Sequence, residues 1–97
     1  MYTFSIGRGD DCDVIIDAPS VSRLHARVTL TRDGSISFQD AGSTNGSFLV
    51  RADGLVRIDA KILDPKEHLQ LGKARVSVAE ILQRIRTKIR RNRAMGS

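Results

Sequence analysis

Gly42-Ser43-Thr44-Asn45-Gly46-Ser47 decides how this chain is read, together with Ser22-Arg23-Leu24-His25-Ala26 and Gly7-Arg8 upstream of it. Asn and Gly favour turns and positive φ. Thr44-Asn45-Gly46 therefore predicts a tight loop tip whose amide and hydroxyl groups stay free to bond something outside the chain. Strand-like runs flank it, Ile36-Ser37-Phe38-Gln39-Asp40 before and Ser47-Phe48-Leu49-Val50 after, which puts the tip at one end of a sheet. The order and spacing of the three segments predict three loops converging on one small polar site, of a kind that suits a phosphate.

The same pattern of short strands and turns extends in both directions. Tyr2 to Ile6 alternates with period two and stops at Gly7. Val14-Ile15-Ile16 reads as a short strand broken by Asp17-Ala18-Pro19-Ser20. Ala26, Val28 and Leu30 share one face of a half-buried strand, with Arg27, Thr29 and Thr31 on the other. Asp33-Gly34 predicts a two-residue hairpin turn. Beyond Val50, Ala52-Asp53-Gly54 turns, Leu55 to Ile58 is a strand, Asp64-Pro65-Lys66 interrupts, and His68 to Leu71 and Ala74 to Val78 close the β portion. The charged stretch between Leu49 and Leu63 leaves the partners of its hairpin open. These elements predict an all-β fold, an antiparallel β-sandwich over residues 1–78.

From Ala79 the period changes. Ile81, Leu82, Ile85 and Ile89 form the narrow apolar stripe of an amphipathic α-helix, expected over residues 79–93, with Arg84, Arg86, Lys88, Arg90, Arg91 and Arg93 around it. Residues 94–97, Ala-Met-Gly-Ser, have no pattern and are expected to be a disordered or appended tail.

At 97 residues with 40% hydrophobic composition the chain holds one small core, and with 4% aromatics that core must be mostly Val, Ile, Leu and Ala. The single cysteine, Cys12, fits a reducing compartment, so a cytoplasmic location is expected. Met1 leads straight into a strand-like run, which predicts no signal peptide, and no apolar run approaches the roughly 20 residues of a membrane span. The net charge of +5 comes from the C-terminal segment: residues 1–78 balance ten basic against ten acidic groups, whereas residues 79–97 carry six basic groups and only Glu80. A body without a basic field is not expected to bind nucleic acid.

Gly7-Arg8, then Ser22-Arg23-Leu24-His25-Ala26, then Asp40-Ala41-Gly42-Ser43-Thr44-Asn45-Gly46-Ser47 resembles the signature of forkhead-associated domains, from about Tyr2 to Val78. The resemblance implies a β-sandwich module that binds phosphothreonine peptides without catalysis, cofactor or metal. Phosphothreonine carries about −1.5 to −2 charges and three strong acceptor oxygens, so its site needs fixed cations and neutral donors. Arg8 offers a planar fork, Ser22 a hydroxyl donor, Arg23 a second cation and Thr44 a further contact. Asn45 is expected to bond the peptide main chain, since an amide both donates and accepts. In the family, the residue matching His25 is structural, its ring bonding backbone to hold the Ser22 loop. Gly7, Asp40 and Gly46 are read as geometry: a turn at Gly7, a carboxylate capping the loop at Asp40, and positive φ at Gly46.

A hydrolase reading of Ser22 and His25 fails for want of a nucleophile elbow and of an acid placed to orient the imidazole. His68 has no partner motif and is expected on the surface. Only Met1 to Ile6 precede Gly7, so one or two N-terminal strands that the family uses are missing, and the exposed edge calls for a cover. The C-terminal helix or a second copy of the chain could supply it; a monomer is favoured and a dimer stays open. The leading expectation is a module that recruits a phosphothreonine-containing protein, such as the substrate of a Ser/Thr kinase, in a bacterial signalling setting. The alternative is a phosphate-independent scaffold that oligomerises through its sheet edge or helix. Contact of the basic helix with a membrane is the lesser expectation beside a solvated face.

Overall fold

The alternating runs pair into two sheets in the computed structural model, which describes residues 1–96. Among these residues the strands are β1 (Tyr2–Gly7), β2 (Val14–Ile15), β3 (Ala26–Leu30), β4 (Ile36–Asp40) and β5 (Ser47–Arg51). There follow β6 (Gly54–Arg57), β7 (Ala60–Leu63), β8 (His68–Leu71), β9 (Ala74–Ser77) and the helix α1 (Val78–Gly96). One sheet runs in the order β2-β1-β3-β4-β7, the other β6-β5-β8-β9.

Period-two alternation turns one face of each sheet toward the other. Phe4, Ile6, Val28 and Phe38 from the first sheet are buried together with Leu49, Leu69, Leu71 and Val76 from the second. Register follows the pattern, with Val28 opposite both Phe4 and Phe38 and Leu49 opposite Leu69. One pairing is not antiparallel: Ile6 lies beside Val14 and Gly7 beside Ile15 in parallel. The chain doubles back at once, because Cys12 N donates to Gly9 O (3.1 Å). The Asp13 carboxylate then accepts from Ser5 N (2.8 Å) and holds the returning strand alongside β1.

Two local expectations are corrected. The Asp33-Gly34 turn is longer than a two-residue hairpin: Thr31 N donates to Ser35 O (3.0 Å), Gly34 N to Thr31 O (3.1 Å), and Gly34 alone takes positive φ, at 87°. A two-residue type I′ turn needs positive φ at both central residues, and Asp33 does not adopt it. The stretch after β6 holds an unforeseen strand, β7, which crosses to the first sheet and pairs with β4, Phe38 facing Lys61. As an edge strand it buries Leu63 and leaves Ile62 58% exposed, so it lacks the two-faced pattern that marks a strand in sequence.

Helix α1 begins where the Ser77 hydroxyl accepts from Glu80 N (3.0 Å), an N-cap. Ile81, Leu82 and Ile85 are buried and Ile89 packs against the core, laying the helix along β2 and β9. Arg84 donates to Ile15 O (2.6 Å) and Lys88 pairs with Asp13 (2.5 Å). Each buried side chain contributes about 1.5–3 kcal/mol, against at most about 1 kcal/mol for a partly exposed ion pair. Apolar burial therefore seats the helix and the polar contacts set its register. Helix α1, one of the two covers expected for the short N-terminal edge, lies against the edge strand β2. It continues through Gly96, so residues 94–96 extend it instead of forming a separate tail; Ser97 lies outside the described residues.

Candidate functional site

Where β1 ends, Arg8 N donates to Ser22 O (2.9 Å) and Gly9 N to Arg23 O (3.0 Å), which locks the Gly7-Arg8 corner onto the loop before β3. Gly7 is required here for closeness, not for the turn read from the sequence: its φ is not positive, and a Cβ there would lie 2.1 Å from Arg23 O. Arg8 is exposed. Its Nε donates to Val21 O (3.1 Å), the carbonyl just before Ser22, and this leaves the terminal nitrogens to donate elsewhere.

His25 ties the loops together and is fully buried. Its backbone N donates to Ile6 O (2.8 Å), and its carbonyl accepts from Ala41 N (2.9 Å). On the ring, Nδ1 accepts from Ser22 N (3.1 Å) and Nε2 lies 3.0 Å from Gly46 O. A backbone N–H can only donate, so Nδ1 carries no proton and Nε2–H donates to Gly46 O. With both nitrogens engaged by backbone, His25 is a strut; among the described residues no group of His, Cys, Asp or Glu has the arrangement of a metal site.

Asp40 shapes the tip. Oδ1 accepts from Gly42 N and Ser43 N (2.8 Å each), and Oδ2 from the hydroxyls of Ser43 and Ser47 (2.6 Å each). Burial pushes the Asp40 carboxyl up, but these bonds from Ser43, Ser47 and Gly42 more than offset it, and the net shift is downward. Ser43 Oγ also accepts from Gly46 N (3.1 Å), and Gly46 takes φ 85°. Ser43 and Ser47 thus join Asp40 as loop-formers, a role the sequence signals only through the spacing of the hydroxyls.

The tip meets the Ser22 loop directly. Thr44 N donates to Ser22 Oγ (3.0 Å), so the Ser22 hydroxyl hydrogen is left to donate outward. Asn45 Nδ2 donates to Ser20 O (2.9 Å), leaving its carbonyl oxygen as an acceptor. Ser20 and Gly72 are partners that motif reading missed: Ser20 Oγ accepts from Lys73 N (2.8 Å) and Gly46 O from Gly72 N (2.9 Å). A Cβ on Gly72 would fall 2.2 Å from Ser20 O. In sequence Gly72 signals only a turn.

Arg8, Ser22, Thr44 and Asn45 are therefore brought to one rim of the sandwich, with Gly7, His25, Asp40 and Gly46 beneath them. Arg23 is exposed beside Ser22 but is not bonded into the cluster; it lines a cleft with Ser5, Asp11, Cys12, Leu24 and Arg27. His68 is exposed.

Cation, hydroxyl and amide from three loops thus stand together at one end of a two-sheet sandwich. The chain belongs to the FHA domain family, which it matches over residues 4–72. It is 35% identical over 74 residues to the glycogen accumulation regulator GarA of Mycolicibacterium smegmatis, covering 76% of this chain and 44% of the relative. The chain thus spans less than half the length of that relative. The FHA domain of CT664 from Chlamydia trachomatis superposes with a TM-score of 0.68 at 26% identity, over 76% of this chain and 72% of that one. The N-terminal FHA domain of S. cerevisiae Rad53p, solved with a phosphothreonine peptide, gives 0.60 at 25% identity, over 73% and 56%. Among the described residues no helix is long and apolar enough to cross a membrane.

Proposed function

We propose that this chain binds phosphothreonine in a partner protein through Arg8, Ser22, Thr44 and Asn45, and recruits that partner without catalysing a reaction on it. The observation that carries the reading is the Ser22–Thr44 contact beside Arg8: it leaves a hydroxyl hydrogen and a guanidinium fork unspent on one exposed rim. A dianion accepting from both gains charge-assisted bonds, whereas a neutral threonine hydroxyl offers no charge to the arginine. Asn45, with its carbonyl oxygen uncommitted, is suited to a peptide N–H beside the phosphothreonine. The solved Rad53p complex supports carrying this chemistry over. A kinase then acts as the switch and the module as the reader.

Isothermal titration of a peptide library with one fixed phosphothreonine, against its unphosphorylated twin, tests the reading. Arg8→Ala and Ser22→Ala should each lower phosphopeptide affinity at least about tenfold, the loss of a charge-assisted bond worth about 1.5–3 kcal/mol, without changing the fold. Equal affinity of the wild type for both libraries overturns it.

A further inference from the structure

We infer that the outer face of the β6-β5-β8-β9 sheet is a second docking surface, on which an acidic segment of the same phosphorylated partner lies, with Arg57 selecting it. The inference rests on the phosphothreonine reading above and adds to it where the partner chain goes and what it carries.

Register creates the surface. Phe48 faces Arg57 on one side and Gln70 on the other, and Gln70 faces Arg75, so Arg57, Phe48, Gln70 and Arg75 form one row across four strands. Residues directly opposite share a face. Val50 and Leu55 form the neighbouring apolar pair, Leu55 44% exposed. Arg57 and Arg75 are the cations of this row, Arg51 having the parity of buried Leu49, and the four strands contain no Asp or Glu. A cationic sheet face with an apolar centre complements an acidic chain bearing an apolar side chain.

Continuity with the rim fixes the occupant. A Cβ built on Gly46 would lie 3.2 Å from Phe48 Cζ and 3.6 Å from Arg57 Cζ, so the row begins directly beside the Asn45-Gly46 tip. Arg75 is engaged, its Nε donating to Gln70 Oε1 (3.2 Å) while Gln70 Nε2 donates to Gly72 O (3.0 Å). Arg57 is different: among the described residues its side chain has neither such a hydrogen bond nor an ion-pair partner. Three inter-strand steps of about 4.8 Å span the row in about 14 Å, the length of about four extended residues. A peptide held by its phosphothreonine at Arg8 and Ser22 and by its main chain at Asn45 therefore reaches Arg57 with an acidic residue close to the anchor.

The test uses the full chain and a library with one fixed phosphothreonine and about four degenerate positions on each side, the reach of an extended chain over the row. Wild type should enrich Asp or Glu on one flank. Arg57→Ala should weaken the selected acidic peptide about threefold, as for an exposed charge pair. Arg57→Glu should weaken it about tenfold and abolish the acidic preference, because like charges then face each other. Both variants should still prefer phosphorylated peptide over its unphosphorylated twin. An acidic flank preference that survives Arg57→Glu, or is absent from the wild type, overturns the inference while the phosphothreonine reading stands. Failure of the wild type to discriminate phosphorylation overturns both.

Discussion

Replacing Gly7 by alanine should collapse the rim from beneath, although the residue is small and buried. The added Cβ would sit 2.1 Å from Arg23 O and 2.9 Å from Ser22 O, against an ordinary non-bonded approach of about 3.5 Å. The Arg23 carbonyl must therefore retreat by more than about 1 Å. That carbonyl accepts from Gly9 N (3.0 Å) and Cys12 Sγ (3.0 Å), and Ser22 O accepts from Arg8 N (2.9 Å). Losing two of these bonds costs about 1 kcal/mol each, and overpacking adds about 1–3 kcal/mol, for a total of about 3–5 kcal/mol. A domain of this size holds about 5–15 kcal/mol, so Tm should fall by roughly 12–40 °C at about 4–8 °C per kcal/mol. Gly42→Ala is the control, since its Cβ meets nothing within 4 Å and only its φ of 79° is strained, costing about 1 kcal/mol. Urea unfolding of both variants decides the matter. A Gly7→Ala protein within about 0.5 kcal/mol of wild type, the range of ordinary surface changes, would refute the close-approach argument.

Four other variants probe the loop supports and the helix. His25→Ala removes both ring bonds and leaves a hole at a fully buried position, so denaturant stability should drop by about 2–4 kcal/mol; a drop under 1 kcal/mol would mean that the loops hold without the strut. The Asp40 carboxyl titrates below its ordinary value of 3.8. The stability it lends is therefore complete above that value and is lost as pH falls through the lower folded-state value. Asp40→Asn should flatten the acid limb of a stability–pH curve below about pH 4, and identical limbs would count against the carboxylate as the organiser of the tip. Ile85→Ala on the buried face of α1 should cost about 2–4 kcal/mol, whereas exposed Arg86→Ala should stay within about 0.5 kcal/mol; equal effects in calorimetry would show the helix to be an appendage.

The sequence by itself determined the strands whose alternation is strict and the helix whose stripe includes Ile81, Leu82 and Ile85, because a residue with one buried and one wet neighbour writes its period into the chain. It also pointed to a turn at Asn45-Gly46 between two strands, the tip that meets the Ser22 loop. It could not show β7, whose Ile62 faces solvent at an edge, or the parallel β1–β2 contact, which depends on Asp13 reaching back to Ser5. Only the tertiary structure decided that Gly7 is kept small by Arg23 O, that Ser20 and Gly72 buttress Asn45 and Gly46, and that Arg57 lies beside the tip. Local pattern records whether a side chain faces water, but not which distant carbonyl it meets; that is set by how two sheets stack, and the loops at their ends inherit it.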